Sequence, residues 1–354
     1  MKTEHRFNYE WTLKDANFTK DKGTVFSCFA CGGGSTMGYK LAGFDVLGCN
    51  EIDPKMIEAY KTNHNPKYAY LEPIQTFKLR KDLPKELYNL DILDGSPPCS
   101  SFSMAGNREK DWGKEKKFRE GQAEQVLDNL FFDFIDLAKE LQPKVVVAEN
   151  VSGLMMGAAK EYVKKIYVAF QKAGYQLKIE PYLLDASKMG VPQRRKRVFF
   201  IALRDDLADQ FMEAVDMFQT APKLDLEFNE KEILFKDFYN GEVGKPLTKK
   251  FLELWHKTKP GNSFAAAANG SWFSKVRLTY HRSLPTITGH SFGDLTLPDK
   301  ANLIDDNSLK NGGSYPLDYN FQDNKAGYLI GMSVPPVMTA QIATEIFNQW
   351  ISKL

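Results

Sequence analysis

A chain of 354 residues with 43% apolar side chains is long enough for one large α/β domain plus a smaller one, and this composition excludes a disordered or fibrous protein. A formal charge of +2 and a pI near 8.1 are only mildly basic, so any surface for a polyanion has to come from local clustering. Four cysteines (Cys28, Cys31, Cys49, Cys99) cannot supply a disulfide scaffold, no apolar run reaches the roughly 20 residues of a membrane helix, and the polar stretch Met1 to Lys22 does not read as a signal peptide; a soluble cytoplasmic protein is expected.

After an N-terminal extension over 1–22, Thr24-Val-Phe-Ser-Cys28 is a strand-like run. It is followed by Phe29-Ala30-Cys-Gly32-Gly33-Gly34-Ser35 and a helix-compatible segment from Thr36 to Leu41. Three consecutive glycines let the backbone turn tightly and approach a ligand, while a helix N-terminus presents free amide donors. The pattern is that of a nucleotide-type cofactor loop. Cys28-x-x-Cys31 has the spacing of a zinc or redox pair, but no second pair completes a site and the five histidines (5, 64, 256, 281, 290) are scattered, so no metal is expected. Val46 to Asn50 reads as a second strand ending in Glu51, about 20 residues beyond the glycines, where an acid can grip a ribose hydroxyl pair. The plainer reading of Glu51 is a helix N-terminal acid before Asp53-Pro54.

A helix is expected from Pro54 to about Asn63, and a strand near Leu90 to Asp94. Directly after it comes Asp94-Gly-Ser96-Pro97-Pro-Cys99-Ser-Ser101-Phe-Ser103. Loops at the carboxyl ends of strands are where reacting groups gather in open α/β sheets, which makes Cys99 a candidate nucleophile. With a reference pKa of about 8.5, its thiol would need a nearby cation, base or helix N-terminus; the alternative is an inert cysteine in a turn. Asn107 to Glu120 is highly charged and lacks apolar periodicity, as a mobile lid or a solvated linker would. An amphipathic helix is expected from about Gln122 to Leu141, then Lys144-Val-Val-Val-Ala-Glu149 as a central parallel strand. Glu149 falls on the same sheet edge as Cys99, where partial desolvation suits acid/base work, and Asn150 suits a cap. Alternating strands and helices argue for a doubly wound sheet.

Further on, Gln193-Arg-Arg195-Lys-Arg197 runs into the strand-like Val198 to Ala202. Period-two alternation sets Arg195 and Arg197 on one side, so that two guanidinium groups can converge on one ligand. Residues 204–282 lose the alternation and interleave Lys245, Lys249, Lys250, Lys257, Lys259, Lys275, Arg277 and Arg282 with Trp255, Trp272, Phe273 and Tyr280, which suits phosphate contacts and base-edge reading.

The glycine loop, Pro97-Pro-Cys99-Ser-Ser-Phe-Ser, Glu149-Asn-Val, Gln193-Arg-Arg-Lys-Arg197 and the C-terminal Gly331-Met-Ser333-Val334-Pro-Pro336, in this order, resemble the DNA cytosine-5 methyltransferase family of bacterial restriction-modification type. The resemblance spans about residues 23–203 and 283–350. It implies an α/β fold: a doubly wound, Rossmann-like, S-adenosylmethionine-dependent methyltransferase sheet (23–203), a smaller target-recognition domain (204–282) and a C-terminal segment (283–354) returning to the catalytic domain. It further implies that Cys99 adds to cytosine C6, that Glu149 serves N3, and that Arg195 and Arg197 hold the ring oxygen and orient the acid. Cofactor binding falls to Phe29, Ala30, Gly32, Gly33, Gly34, Glu51, Ile52, Ile74, Ser96, Pro97, Asn150, Ser333 and Val334. Ser101, Arg108, Gln193, Lys275 and Arg277 would contact DNA.

On the same basis the cofactor is S-adenosyl-L-methionine, released as S-adenosyl-L-homocysteine, and no step needs a metal. The partner is double-stranded DNA with the target cytosine flipped out of the stack. A monomer is expected, in a prokaryotic cell or encoded by a phage, with a possible cognate restriction endonuclease but no stable complex. The chain departs from the family pattern at Ser27, where Asp is common, at Cys31 for Gly, at Met332 for Asn, near Leu71-Glu-Pro-Ile74, where the usual Asp is not evident, and in the Gly-rich segment Asp305 to Pro316. Alternatives are a tRNA cytosine-5 methyltransferase, a non-catalytic DNA-binding relative and, sharing only the glycine loop, a Rossmann-type dehydrogenase.

Overall fold

The structure is a computed structural model that describes residues 5–98, 129–157, 159–215, 217, 219–289 and 294–354, together with the backbone of 115–116 and 125–126. Its strands and helices run β1 Thr24–Cys28, α1 Gly34–Leu41, β2 Asp45–Glu51, α2 Pro54–His64, β3 Tyr68–Leu71, α3 Ile74–Phe77 and β4 Ile92–Gly95. The short strands β5 (Glu115–Lys116) and β6 (Gln125–Val126) pair antiparallel and precede α4 Leu130–Leu141, β7 Val145–Val151, α5 Ala159–Lys172, β8 Tyr175–Gln176, β9 Tyr182–Asp185, β10 Gln193–Arg194 and β11 Lys196–Arg204.

The protein is a mixed α/β structure built on one large sheet, in the order β3-β2-β1-β4-β7-β11-β8, with β9 also on β11. Pairings from β3 through β7 are parallel, whereas β11 runs antiparallel to both β7 and β8. Strand order reverses at β1 and β4, the crevice where ligands bind in open α/β sheets. Central position explains the composition of β7: Val145 to Ala148 are covered on both faces, and each is at most 2% exposed. On one face α4 drives Phe131, Phe134, Leu137 and Leu141 into the core, and Phe26 of β1 stacks on Phe77 at 5.6 Å. Each fully buried side chain of this size contributes about 2–3 kcal/mol.

Helix starts follow local chemistry. The Asp53 carboxylate accepts the amides of Lys55 and Met56, Pro54 fills the first turn, and Asn65 closes α2 at φ 43°. The helix expected from Gln122 instead starts at Leu130, because the apolar period that reaches the core begins only there, while 125–126 are paired as β6.

By compactness the chain forms two units: a sheet unit of Phe18–Leu184, Lys196–Glu227 and Ile342–Leu354, and a second unit of Met1–Asn17, Asp185–Arg195 and Phe228–Gln341. These divisions fall elsewhere than 203/204 and 282/283, for identifiable reasons. Residues 185–195 join the second unit because β10 pairs with β15 (Leu284–Pro285), once α6 Asp205–Ala208, β12 Met212–Ala214, β13 Thr220–Pro222, α7 Phe235–Phe238, α8 Lys249–Lys257 and β14 Val276–Arg277 have been passed. Residues 204–227 stay with the sheet unit, where β12 pairs with β13 and the Trp350 indole donates to the Lys223 carbonyl. The second unit continues with β16 Leu295–Thr296, α9 Asp306–Gly312, α10 Ala326–Met332 and the start of α11 Pro336–Gln349. Its Gly-rich segment is a helix, N-capped by Asp305 onto the Ser308 amide. Among the described residues no helix is long and apolar enough to cross a membrane.

Candidate active site

At the carboxyl edge of the sheet unit, β1 runs into a loop with two non-glycine residues in the left-handed region, Phe29 (φ 53°) and Cys31 (φ 50°). Such geometry is held only where its surroundings over-determine it. Here two neighbours do so. Glu51, at the end of β2, accepts the Cys31 amide on Oε2 at 2.8 Å and the amides of Ile52 and Asp53 on Oε1 at 2.8 and 2.9 Å. Burial pushes its carboxyl up, and the three amides pull it partly back. His64 lies beneath the loop with Nε2 3.1 Å from the Gly32 carbonyl; burial pushes its pKa down to about 3, so the neutral ring donates that bond. Gly33 is at φ 84°, and a Cβ there would lie 2.2 Å from His64 Nε2, so only glycine fits.

Beside this loop, Asp94 is the next-to-last residue of β4 and is 4% exposed. Its Oδ2 accepts the hydroxyls of Ser27 and Ser35, each at 2.7 Å, and its Oδ1 accepts Tyr39 at 3.2 Å. Burial first, and the charge of Glu149 among the rest, push this carboxyl up to about 6. In the loop that follows, the Asn150 side-chain amide donates to the Pro97 carbonyl at 3.1 Å, while its Oδ1 accepts the Val151 amide. Asn150, buried at the end of β7, therefore tethers the Pro-rich loop.

Glu149 and Arg197 meet across β7 and β11. Arg197 Nε lies 2.9 Å from Glu149 Oε1, both side chains being at least 86% buried, and Arg197 Nη1 donates to the Lys196 carbonyl. Desolvation lowers the guanidinium pKa, opposed by the adjacent Glu149, and the short contact holds Arg197 in place. Ile74 is buried at the start of α3 and Ile52 is half-buried after β2. Cys99, Ser101, Arg108 and nearly all of the charged stretch 107–120 lie outside the described residues.

In the second unit the expected ligand-facing side chains turn inward. Arg195 donates Nη1 to the Ile287 carbonyl at 2.7 Å and Nη2 to the carbonyls of Gly331 and Ser333, each at 2.9 Å. Its expected alignment with Arg197 assumed one continuous strand, but β10 stops at Arg194 and β11 begins at Lys196, so period two does not carry across. Gln193, 1% exposed, donates to the Gly312 carbonyl and accepts the Ile287 amide. Lys275 sits 3.4 Å from Asp294 and over the Phe251 ring. Arg277 caps the carbonyls of Trp255, Thr258 and Pro298 and stacks 3.6 Å above the Trp255 ring. These three are thus corrected from DNA contacts to internal ties, because buried carbonyls and a carboxylate claim their donors. Ser333 and Val334 are buried, with the Ser333 hydroxyl on the Leu329 carbonyl. Gly331 packs so closely on Thr288 that a Cβ would meet its carbonyl carbon at 2.2 Å.

Asp94 and Asp53 carry more of the local order than sequence reasoning assigned to them. The signal for Asp94 was present: a carboxylate inside an apolar strand, next to a loop of small residues.

The edge thus described belongs to an open α/β sheet of the nucleotide-cofactor class, with a strained glycine loop and an acid–arginine pair. The family description C-5 cytosine-specific DNA methylase matches residues 23–284, and the chain belongs to that family. Type II methyltransferase M.FnuDI of Fusobacterium nucleatum is 35% identical over 183 residues, 52% of this chain and 47% of that one; M.NgoPII of Neisseria gonorrhoeae is 33% identical over 187 residues, 53% and 50% of the two. The chain spans about half the length of these curated relatives. Among solved structures, a prophage-encoded DNA modification methyltransferase of E. coli aligns over 92% of this chain and 99% of its own, with a TM-score of 0.68 at 20% identity. A DNMT2 structure from Spodoptera frugiperda aligns over 92% and 99% with a TM-score of 0.63 at 16% identity; both likenesses concern the fold.

Proposed function

We propose that the protein is a sequence-specific DNA cytosine-5 methyltransferase that uses S-adenosyl-L-methionine. The observation that carries this reading is the buried Glu149–Arg197 pair at the carboxyl edge of β7, one strand from the loop that leads to Cys99. Cytosine C5 is a weak nucleophile, so the Cys99 thiolate adds to C6 first and turns the ring into an enamine. Negative charge developing at N3 is met by a proton from the Glu149 carboxyl, which Arg197 orients through Nε. After transfer a base removes the C5 proton, Cys99 leaves as a thiolate and N3 returns its proton to Glu149, which restores the ring. The target base leaves the stack to be reached, at a cost of a few kcal/mol.

The residues present fit the cofactor. The left-handed Phe29 and Cys31 and the Cβ-free Gly33 bring backbone close to the crevice, α1 opens at Gly34, and Glu51 is fixed at the end of β2 as a ribose acceptor. Bound S-adenosylmethionine supplies an electrophilic methyl group. Phe29, Ala30, Gly32 to Gly34, Glu51, Ile52, Ile74, Ser96 and Pro97 would hold it, with Asn150 fixing the Pro97 loop. Arg195 acts through the carbonyls of Gly331 and Ser333 and so shapes the Ser333–Val334 turn. Ser101 and Arg108 remain proposed DNA contacts. The protein works as a monomer on duplex DNA, alone or beside an endonuclease with which it forms no stable complex.

The test is transfer of labelled methyl from S-adenosylmethionine to unmethylated DNA, with a tRNA pool and Cys99→Ser alongside, and mapping of 5-methylcytosine. Label on DNA at one recurring sequence, lost in Cys99→Ser, is the expected result. Label on tRNA alone, or on neither, overturns it.

A further inference from the structure

We infer that Asp94 is a positioning residue for methyl transfer: from β4 it gathers the hydroxyls of Ser27, Ser35 and Tyr39 and thereby locks the glycine loop to the strand that leads into Cys99. Its functional half rests on the methyltransferase reading; its geometry does not.

Ser27 and Asp94 are direct partners across the parallel strands β1 and β4. Ser27 is the next-to-last residue of β1, Ser35 lies in the first turn of α1, and Tyr39 lies one turn further along. One carboxylate therefore reaches both sides of residues 29–33, the segment that contains the left-handed Phe29 and Cys31. Ser27 and Ser35 also lie 3.4 Å apart through their hydroxyls, so the cluster is closed. All four side chains are at most 8% exposed.

An ionised carboxylate is a costly choice for this position, between Leu93 and Gly95 in a central strand. The other ionisable groups that face it are Cys28, Tyr39, Tyr60 and Glu149, none of them a cation. An apolar residue would pack here without penalty but would leave three buried hydroxyls without their acceptor. The hydroxyls thus explain why the carboxylate is kept.

The departure at position 27 has the same explanation. Where the resembled family commonly carries Asp, this chain has Ser, and the carboxylate stands directly across the ladder at 94. Acids at both positions would set two buried charges within bonding distance, and an acid at neither would orphan Ser35 and Tyr39. Hydroxyl and carboxylate are exchangeable as a pair, not singly.

The experiment compares full-length wild type with Asp94→Asn, Asp94→Ser and the transposed Ser27→Asp/Asp94→Ser. Hydrogen exchange over residues 28–39, the Kd for S-adenosylmethionine, separate KM values for cofactor and DNA, and thermal midpoints are read for each. Both single variants should lose exchange protection over 28–39 and bind cofactor about tenfold more weakly, with the DNA KM little changed, and the transposed pair should recover most of that loss. Asp94→Asn should melt no lower than wild type near pH 8, because it removes a buried charge, so a general folding defect is separated from lost positioning. Unchanged exchange and cofactor affinity in Asp94→Ser, or a transposed pair no better than the single variant, overturns the inference. If exchange is lost and rescued as expected while wild type binds no S-adenosylmethionine, the lock stands and the methyltransferase reading falls.

Discussion

The carboxyl edge of the sheet and the basic, aromatic stretch of the second unit use the same residue types to opposite ends. At the sheet edge, Arg197 gives Nε to the Glu149 carboxylate and Nη1 to one carbonyl, that of Lys196, and Glu149 retains a second oxygen beyond the one Arg197 engages. In the second unit, Arg277 donates to three carbonyls and lies flat on Trp255, and Lys275 is enclosed by Asp294 and Phe251. An arginine is left to orient an acid when few of the surrounding carbonyls claim its donors. Count and spacing of cations do not report that; the carbonyl inventory does.

This contrast can be broken most sharply at Glu149. Glu149→Gln keeps the shape but not the acid, and methyl transfer in single-turnover assays should fall by about 10²- to 10⁴-fold with cofactor affinity retained. A fall confined to KM would instead make Glu149 a binding residue.

The next largest effect concerns pH. His64 is neutral in the fold, with its pKa pushed down to about 3 from an ordinary 6.5, so its stabilising contribution is present above pH 6.5 and is lost as pH falls toward 3. Asp94 has the opposite sign: its carboxyl is raised to about 6, so its contribution is present below about pH 4 and is lost as pH rises through 6. His64→Gln keeps a donor for the Gly32 carbonyl and should flatten the acid limb of urea-unfolding stability by about 1.4 kcal/mol per pH unit below 6.5. An acid limb identical to that of wild type would contradict the buried, neutral ring.

On the other side of the comparison, Arg277→Ala should lower unfolding stability by about 3 kcal/mol, since three carbonyls lose their donor and Trp255 its cover. Unchanged stability with a reduced salt dependence of DNA binding would return Arg277 to the surface. The smallest effect belongs to Lys250, exposed and placed over Trp272. Lys250→Ala should leave stability within about 0.5 kcal/mol and, if this face meets phosphate, lower the salt slope of DNA binding by about one.

The parts of the molecule that were legible from sequence are those that backbone chemistry dictates. A strand, three glycines, a helix start and a second strand ending in an acid determine one another locally, and β1, α1, β2 and α2 lie close to their expected bounds. The continuous apolar run of β7 likewise announces a strand covered on both faces. Less legible were features decided across the chain. The antiparallel course of β11 cannot be told from a parallel one by its residues, and the break at Arg195 reverses what alternation implied for that side chain. Gln193 and Arg277 looked exposed because their acceptors are backbone carbonyls 19 or more residues away, and Lys275 because its carboxylate partner, Asp294, comes from another stretch of the chain. Asp94 stood out as a carboxylate in an apolar strand, but its partners were hidden for a related reason: they come from another strand and a helix.

Glu149 and Arg197 are joined through a ladder in which Phe199 stands opposite Glu149 and Arg197 opposite Val151. A single inserted residue in either strand would swing one member to the far face of the sheet. The lengths of β7 and β11 are therefore fixed by the pair, whereas loops between the elements of 152–195 can lengthen or shorten without changing its register. Homologues should show their insertions there and their indel-free blocks on either side.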